Sequence, residues 1–317
     1  MKRRDFLKGT ARFGLLAALP ASAARALAAG WNEAAAGSNG QGNHPAAEPG
    51  RLQPPAQGAI PVAFLVSNGA VIIDFCGPWE VFQDVSIPGR MDNPFRLYTV
   101  AETTRPIQTS GGMTIVPQYT FATAPAPKVV VIPAQGGRSE ATLAWIRKSS
   151  KSADLIMSVC TGAFLLAKTG LLSGKAATTH HSGFREFARV FPDIQLQRGA
   201  RFVEAGNLAT AGGLSSGIDL ALRVVERYYG REVAEKTAYY MEYQGQGWRN
   251  PNSNELYAQA RASTDEHPLC PVCEMDVDPA SAPKSVYRAK TYYFCSQDHK
   301  KQFNASPDQF AEATGKR

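Results

Sequence analysis

The chain has 317 residues, 44% of them hydrophobic, with 21 prolines and a formal charge of +7. That length calls for about two domains, and the apolar content excludes an intrinsically disordered chain. Six cations against Asp5 put +5 of the charge in the first 28 residues, leaving +2 for the rest, which excludes a basic footprint for DNA or RNA.

The N-terminus reads as an address. Lys2-Arg3-Arg4-Asp5-Phe6-Leu7-Lys8 is followed by an apolar run, Phe13 to Leu19, and by small residues ending Ala26-Leu27-Ala28. Charged, apolar and A-x-A regions in that order describe a secretory signal over 1–28, too short to span a bilayer for good. The paired arginines before Phe-Leu-Lys resemble a twin-arginine signal and predict cleavage after Ala28 and a periplasmic protein; an uncleaved amphipathic anchor is the alternative. Residues 29–59, rich in Gly, Pro, Ala and Asn, read as a flexible linker.

From Ile60 the texture changes. Short apolar runs at Ile60 to Val66, Phe95 to Val100, Val129 to Pro133 and Leu155 to Val159 have the continuous hydrophobicity of strands buried on both faces. Helical patterns lie between or after them, at Pro78 to Asp84, Glu140 to Lys148, Gly162 to Lys168 and Ser182 to Phe191. Leu214 to Tyr229 and Val233 to Tyr243 make two closing helices. This alternation predicts an α/β domain over 60–248, an open sheet with helices on both faces. Residues 249–264 are polar and uneven and read as a second linker.

Ser158-Val159-Cys160-Thr161-Gly162-Ala163 falls where a strand passes into a helix. A cysteine at that corner is lifted to the carboxyl edge of the sheet, where open α/β sheets form their crevice, and the helix N-terminus favours its thiolate. The alternative is a buried, inert thiol. Of the five cysteines, Cys76 and Cys160 stand alone while Cys270, Cys273 and Cys295 cluster. An odd number in an oxidising compartment suggests one thiol for chemistry and a group for metal. With His299 the cluster reads C-x2-C-x21-C-x3-H, a four-ligand spacing that suits tetrahedral zinc, while its thiolates also select copper(I). A module of about 50 residues, 265–317, has too little core to fold alone, so a bound metal would supply what is missing. A disulfide-only reading leaves His299 without a purpose.

Three segments carry a family likeness. Asp74-Phe75-Cys76-Gly77-Pro78-Trp79-Glu80-Val81-Phe82, the Cys160 elbow, and Ala177-Thr178-Thr179-His180 resemble the ThiJ/PfpI superfamily, in its isonitrile-hydratase-like branch. The resemblance implies a flavodoxin-like, class I glutamine amidotransferase-like fold. It implies Cys160 as nucleophile and Asp74 beside it as the acid that shuttles a proton; capping the helix at Pro78 is the structural alternative for Asp74. It also implies charge stabilisation by the Thr161 N–H and the Gly136-Gly137 loop, and places His180 near the site. Thiolate attack on an isocyanide carbon and hydration to an N-formamide is the implied chemistry, with a small molecule as substrate and no cofactor. Relatives of this domain commonly pair, which implies a homodimer. Two departures stand out: Thr161 replaces the histidine that follows the nucleophile in peptidase members, and the usual P-G-G loop reads Pro133-Ala134-Gln135-Gly136-Gly137, which threatens to crowd the pocket.

Pro271-Val272-Cys273-Glu274-Met275 through Tyr292-Tyr293-Phe294-Cys295-Ser296 resembles the YHS domain, related to the TRASH fold. That likeness implies a small α+β metal-binding domain in which His299 stands for the usual last cysteine and Cys270 for the usual Asp. Tyr287, Tyr292, Tyr293, Phe303 and Phe310 read as its core. Besides an exported hydratase or lyase, two other functions fit the sequence: a periplasmic metal-handling protein with a scaffold α/β domain, and a sensor that signals by oxidation of Cys160.

Overall fold

The computed structural model describes residues 50–55, 57–259 and 263–311. The proposed signal and most of the first linker lie outside the described residues, as does the end of the C-terminal domain. Among the described residues no helix is long and apolar enough to cross a membrane.

Strands β1 (Ile60–Leu65), β2 (Phe95–Ala101), β3 (Tyr119–Thr120), β4 (Val129–Ile132), β5 (Leu155–Val159), β6 (Phe202–Ala205) and β7 (Leu208–Ala211) form one sheet in the order β6-β7-β5-β4-β1-β2-β3. Every pairing is parallel except β6 with β7. All residues of β4 and β5 are buried, as the Val-Val-Val-Ile and Leu-Ile-Met-Ser-Val runs demand of strands covered on both faces. Helices α1 (Ile72–Gln83), α5 (Ser216–Tyr229) and α6 (Arg231–Tyr240) cover one face, giving a core that includes Phe75, Phe82, Leu222 and Val225. Helices α2 (Glu140–Ser149), α3 (Gly162–Lys168) and α4 (Phe184–Val190) cover the other, with Trp145, Leu166 and Phe187 in its core.

The elements agree with the apolar runs and differ at their ends. Helix α1 starts at Ile72, six residues before Pro78, and carries that proline inside it. Asp74 therefore lies in the first turn of α1, facing the core, and does not cap a helix beginning at Pro78. A short 3-10 turn, His181–Gly183, precedes α4. The predicted second linker holds another such turn, Glu255–Tyr257, packed on the α/β domain through the Asn254 N–H to Gly199 O bond of 2.9 Å.

The C-terminal module is a hairpin of β8 (Lys284–Tyr287) and β9 (Lys290–Tyr293), followed by α7 (Gln297–Ala305) and α8 (Pro307–Ala311). Its core is seven buried residues: Cys270, Val272, Cys273, Tyr292, Phe294, Phe303 and Phe310. Two of those seven are candidate metal ligands, so the purely apolar core is smaller still.

Candidate functional site

Three strands deliver the site to one edge. Asp74 follows β1, Ala134 follows β4, and Cys160 follows β5, all at the carboxyl ends where the strand order reverses direction. Cys160 has φ 58°, a left-handed conformation that costs a residue with a Cβ about 1–2 kcal/mol. Local bonds hold it there. Its N–H donates to Gly212 O at 2.8 Å, and the Thr179 hydroxyl donates to its carbonyl at 2.9 Å. The next turn fits only because Gly162 lacks a side chain: a Cβ would collide with the carbonyl oxygens of Ile132 and Pro133.

Asp74 is fully buried, and the Ala134 N–H donates to its Oδ2 at 3.1 Å. Its Oδ1 has no hydrogen-bond partner of ordinary length. Burial pushes the carboxyl up to about 6, against the opposing pull of the Ala134 N–H, the Cys160 thiol and the Leu214 N–H. The thiol moves the same way. Burial and the neighbouring Asp74 carboxylate push Cys160 up to about 12, outweighing the N–H groups of Thr161 and Leu214. This overturns the expectation of a thiolate stabilised by the helix N-terminus. Burial and the facing Asp74 carboxyl favour the protonated sulfur over the thiolate.

The donors around the sulfur also differ from expectation. The Gly136 N–H is engaged by Asn68 O at 2.9 Å and the Gly137 N–H by Ser67 Oγ at 2.8 Å, so neither is free to stabilise charge. The backbone N–H groups beside Cys160 are those of Thr161 and Leu214. Leu214 has φ 52°, a second left-handed residue, and sequence gave no sign of it because a backbone donor leaves no side-chain signature. The altered loop does not crowd the site through Gln135, whose amide turns back to Leu65 O at 3.1 Å, while the Ala134 backbone becomes the anchor for Asp74.

His180 lies in the site. The Ser182 hydroxyl lies 2.7 Å and the Ser182 N–H 3.2 Å from its Nδ1, which fixes the ring's orientation. Burial and then His181 hold it down to about 4, so it is neutral in the physiological range. Its ring leaves no room for a side chain at Gly213. A cavity of ≈160 Å³ has Thr179, His180, His181, Phe184, Leu214 and Tyr257 in its lining; Thr179 and Leu214 join it to Cys160, which does not itself line it. Arg201 closes its polar side, donating to the buried Asp219 carboxylate at 2.6 Å and to Ser215 Oγ at 3.0 Å. Thr179 was visible within the Ala-Thr-Thr-His motif; Arg201 and Tyr257 carried no motif.

In the C-terminal module the ligand atoms of Cys270, Cys273, Cys295 and His299 all lie within 4.8 Å of one another. Cys270 Sγ is 3.6 Å and Cys295 Sγ 3.1 Å from His299 Nδ1, and Cys273 Sγ is 3.5 Å from Cys295 Sγ. Metal–sulfur bonds of about 2.3 Å in a tetrahedron place sulfurs about 3.8 Å apart, so the spacing and the three-thiol, one-imidazole donor set fit a metal ion. The knuckle is backbone-made: the Glu274 N–H returns to Cys270 O at 2.8 Å, with Glu274 at φ 60°. Ser296 caps α7 by accepting from the His299 N–H, which sets Cys295 and His299 one turn apart on the same side. The neighbouring Cys273 thiol, against burial and with the N–H groups of Cys295, Cys273 and Val272, pulls Cys270 down, and the same pairing pushes Cys273 up.

One side chain ties the module to the α/β domain. Arg185, in the first turn of α4 next to the cavity-lining Phe184, donates to Pro271 O, to Gln309 O at 2.9 Å and to Phe310 O at 3.0 Å, and its guanidinium lies 5.4 Å from the centre of the Phe310 ring. Pro271 sits inside the Cys270-x2-Cys273 knuckle.

The DJ-1/PfpI family model matches residues 61–227, and the YHS domain model matches residues 270–314. The chain is 31% identical over 190 residues to isonitrile hydratase of Pseudomonas putida, covering 58% of this chain and 79% of that protein. A ThiJ/PfpI family protein from Pseudomonas syringae superposes with a TM-score of 0.53 and 29% identity, over 64% of this chain and 84% of that one. DJ-1beta of Drosophila melanogaster superposes with a TM-score of 0.50 at 20% identity, over 58% of this chain and 98% of that one, a likeness of fold alone.

Proposed function

The chain belongs to the DJ-1/PfpI family and ends in a YHS domain, and on that footing we propose that it is an exported, cysteine-dependent hydratase acting on a small isocyanide. The observation that carries this reading is the pairing of Cys160, held at φ 58° on its strand-to-helix corner, with the buried Asp74 carboxylate. The likeness to isonitrile hydratase supplies the reaction class.

The protonation states suit that chemistry. As Cys160 Sγ bonds to the terminal isocyanide carbon, the Asp74 carboxylate takes the thiol proton and returns it to that carbon, giving a thioimidate, R–N=CH–S–Cys160. The Thr161 and Leu214 N–H groups lie where charge on sulfur and carbon is transient. Water then adds to the thioimidate carbon, the C–S bond breaks, and the proton returns to sulfur, releasing the N-formamide. One isocyanide and one water are consumed, and Cys160 ends as the thiol it began as. His180, held neutral by burial, would orient the water or the substrate nitrogen and not compete as a cation.

Cys270, Cys273, Cys295 and His299 would hold zinc or copper(I). A bound ion would cross-link the knuckle to α7 and supply the stability that the seven-residue core lacks.

The test is isocyanide turnover, followed as formamide formed, in wild type, Cys160→Ala and Asp74→Asn. Loss of at least a thousandfold in both variants, with unchanged folding, is the expected result; turnover retained in either removes the proposal. The intact mass of protein recovered from the periplasm tests the cleaved leader.

A further inference from the structure

The cavity lined by Thr179 and Leu214, whose hydroxyl and N–H meet Cys160, is not built by the family fold alone. Two of its lining residues, Asn254 and Tyr257, fall in the stretch between the two matched regions, 61–227 and 270–314. The sequence there reads as a linker, but the structure seats it. Arg201 N–H donates to Pro251 O at 2.6 Å, Arg201 Nη1 donates to Asn254 Oδ1 at 3.2 Å, and the Asn254 N–H donates to Gly199 O at 2.9 Å. Gly199, at φ 79°, is where the segment packs closest: a Cβ there would lie 2.9 Å from Ala258 Cβ and 3.2 Å from Glu255 Cα. Upstream, Trp248 is buried, and its N–H donates to Asp219 Oδ1 at 2.9 Å, the same carboxylate that Arg201 holds.

Seated in this way, Tyr257 lays its ring parallel to His181, with centroids 4.9 Å apart and planes at 17°. His181 in turn lies against His180, at 4.2 Å. A run of three rings, His180, His181 and Tyr257, therefore lines the cavity, and its last member belongs to the interdomain segment. Phe184 and Leu214 complete the apolar lining. At ≈160 Å³ the space is close to the ~150 Å³ cavity that holds a benzene, so it seats about one ring. The three rings differ in how they are held. His180 is fixed by Ser182 and Gly213, whereas Tyr257 is 46% exposed and rests on a single turn of 3-10 helix.

We propose that the segment joining the two domains is the outer wall of the substrate cavity and that Tyr257 sets the size of the substituent the cavity accepts. This rests on the reading of the cysteine site as the reacting centre. Tyr257 does not touch the reacting atoms; it acts on KM and on selection among substrates.

Two measurements test this, and they separate the wall from the chemistry. In the first, kcat and KM are compared for methyl isocyanide and 2-naphthyl isocyanide in wild type, Tyr257→Ala and Leu256→Ala, the last altering an 84% exposed neighbour outside the cavity lining. Tyr257→Ala is expected to shift the naphthyl-to-methyl ratio of kcat/KM at least tenfold towards naphthyl, mostly through KM, and Leu256→Ala to leave it unchanged. In the second, alkylation of Cys160 by iodoacetamide and by N-benzylmaleimide is followed by peptide mass spectrometry, which needs no turnover. The bulky reagent is expected to gain at least fivefold over the small one in Tyr257→Ala. A size profile the same as wild type in this alkylation experiment overturns the wall, whatever the turnover. A changed alkylation profile in a protein that hydrates no isocyanide upholds the wall and overturns the proposed reaction.

Discussion

Asp74 is held at a cost. Its carboxyl is raised from 3.8 to about 6 by burial, a shift of about two units and so on the order of 3 kcal/mol between its two protonation states. For a raised carboxyl the native state prefers the neutral form. The corresponding stability is present below about pH 4 and disappears as pH rises through about 6. Asp74→Asn keeps an oxygen for the Ala134 N–H while removing the charge. Chemical denaturation should therefore find it more stable than wild type by roughly 2–3 kcal/mol at pH 7.5 and indistinguishable near pH 4. Activity moves the other way. If the carboxylate takes the thiol proton, kcat/KM of the wild type should rise with pH to a plateau, half-maximal near pH 6; a profile flat from pH 5 to 8 would mean that Asp74 is not the base. Of the residues singled out in the sequence, Asp74, Cys160 and Thr161 lie together, and His180 follows the Thr179 that bonds Cys160 O. The direction of the thiol shift was not legible there. A helix-terminus argument sees only the local turn, whereas burial and the facing carboxylate come from elements 60 and more residues apart.

At the scale of the elements, the strands that could be read were those buried on both faces. The runs at Ile60, Val129 and Leu155 are continuous and apolar, so their cores were legible even where their ends were not. Two-residue strands such as Tyr119–Thr120 carry no pattern of their own and exist because β2 presents an edge to them. Residues 249–259 misled for a related reason: Asn, Ser and Pro make a stretch look solvent-bound, and here Pro251 and Asn254 are the ones that dock. The junction of β5 with α3 is the most constrained element. Gly162→Ala puts a methyl into two carbonyl oxygens of the β4 exit, backbone that cannot step aside without moving Ala134 and hence Asp74. A loss of at least about 3 kcal/mol in chemical denaturation is expected, more than the usual cost of overpacking, because no side chain can rotate away. In the C-terminal module, β8 and β9 turn through Arg288 and Ala289, both at positive φ, with no glycine to ease the turn. A hairpin closed in that way on so few apolar residues depends on its ligand cluster. Removing metal with a strong chelator, or making Cys273→Ser with Cys295→Ser, should abolish stoichiometric zinc or copper by elemental analysis and expose amides of 270–305 to fast hydrogen exchange, while β1, β4 and β5 stay protected.

For the whole molecule, the fold is a sheet whose two faces have separate cores and whose carboxyl edge gathers everything chemical, with a small module held nearby. The clearest polar tether between them is Arg185. A half-buried guanidinium with three carbonyl acceptors is a strong joint, since hydrogen bonds to a charged group contribute about 1.5–3 kcal/mol each. Arg185→Ala is expected to speed limited proteolysis within 259–264 at least tenfold, leaving an intact α/β fragment, and Arg185→Lys to rescue only part of the protection because an ammonium cannot fork to three acceptors.

What Arg185 grips are main-chain oxygens. Mutation at Gln309 can exchange one side chain for another without taking away an acceptor, and Pro271 offers its carbonyl whatever ring or chain sits behind it. A docking contact written in backbone is blind to spelling: the module's surface is free to drift over generations while its attachment persists, provided the knuckle and the last helix keep their course.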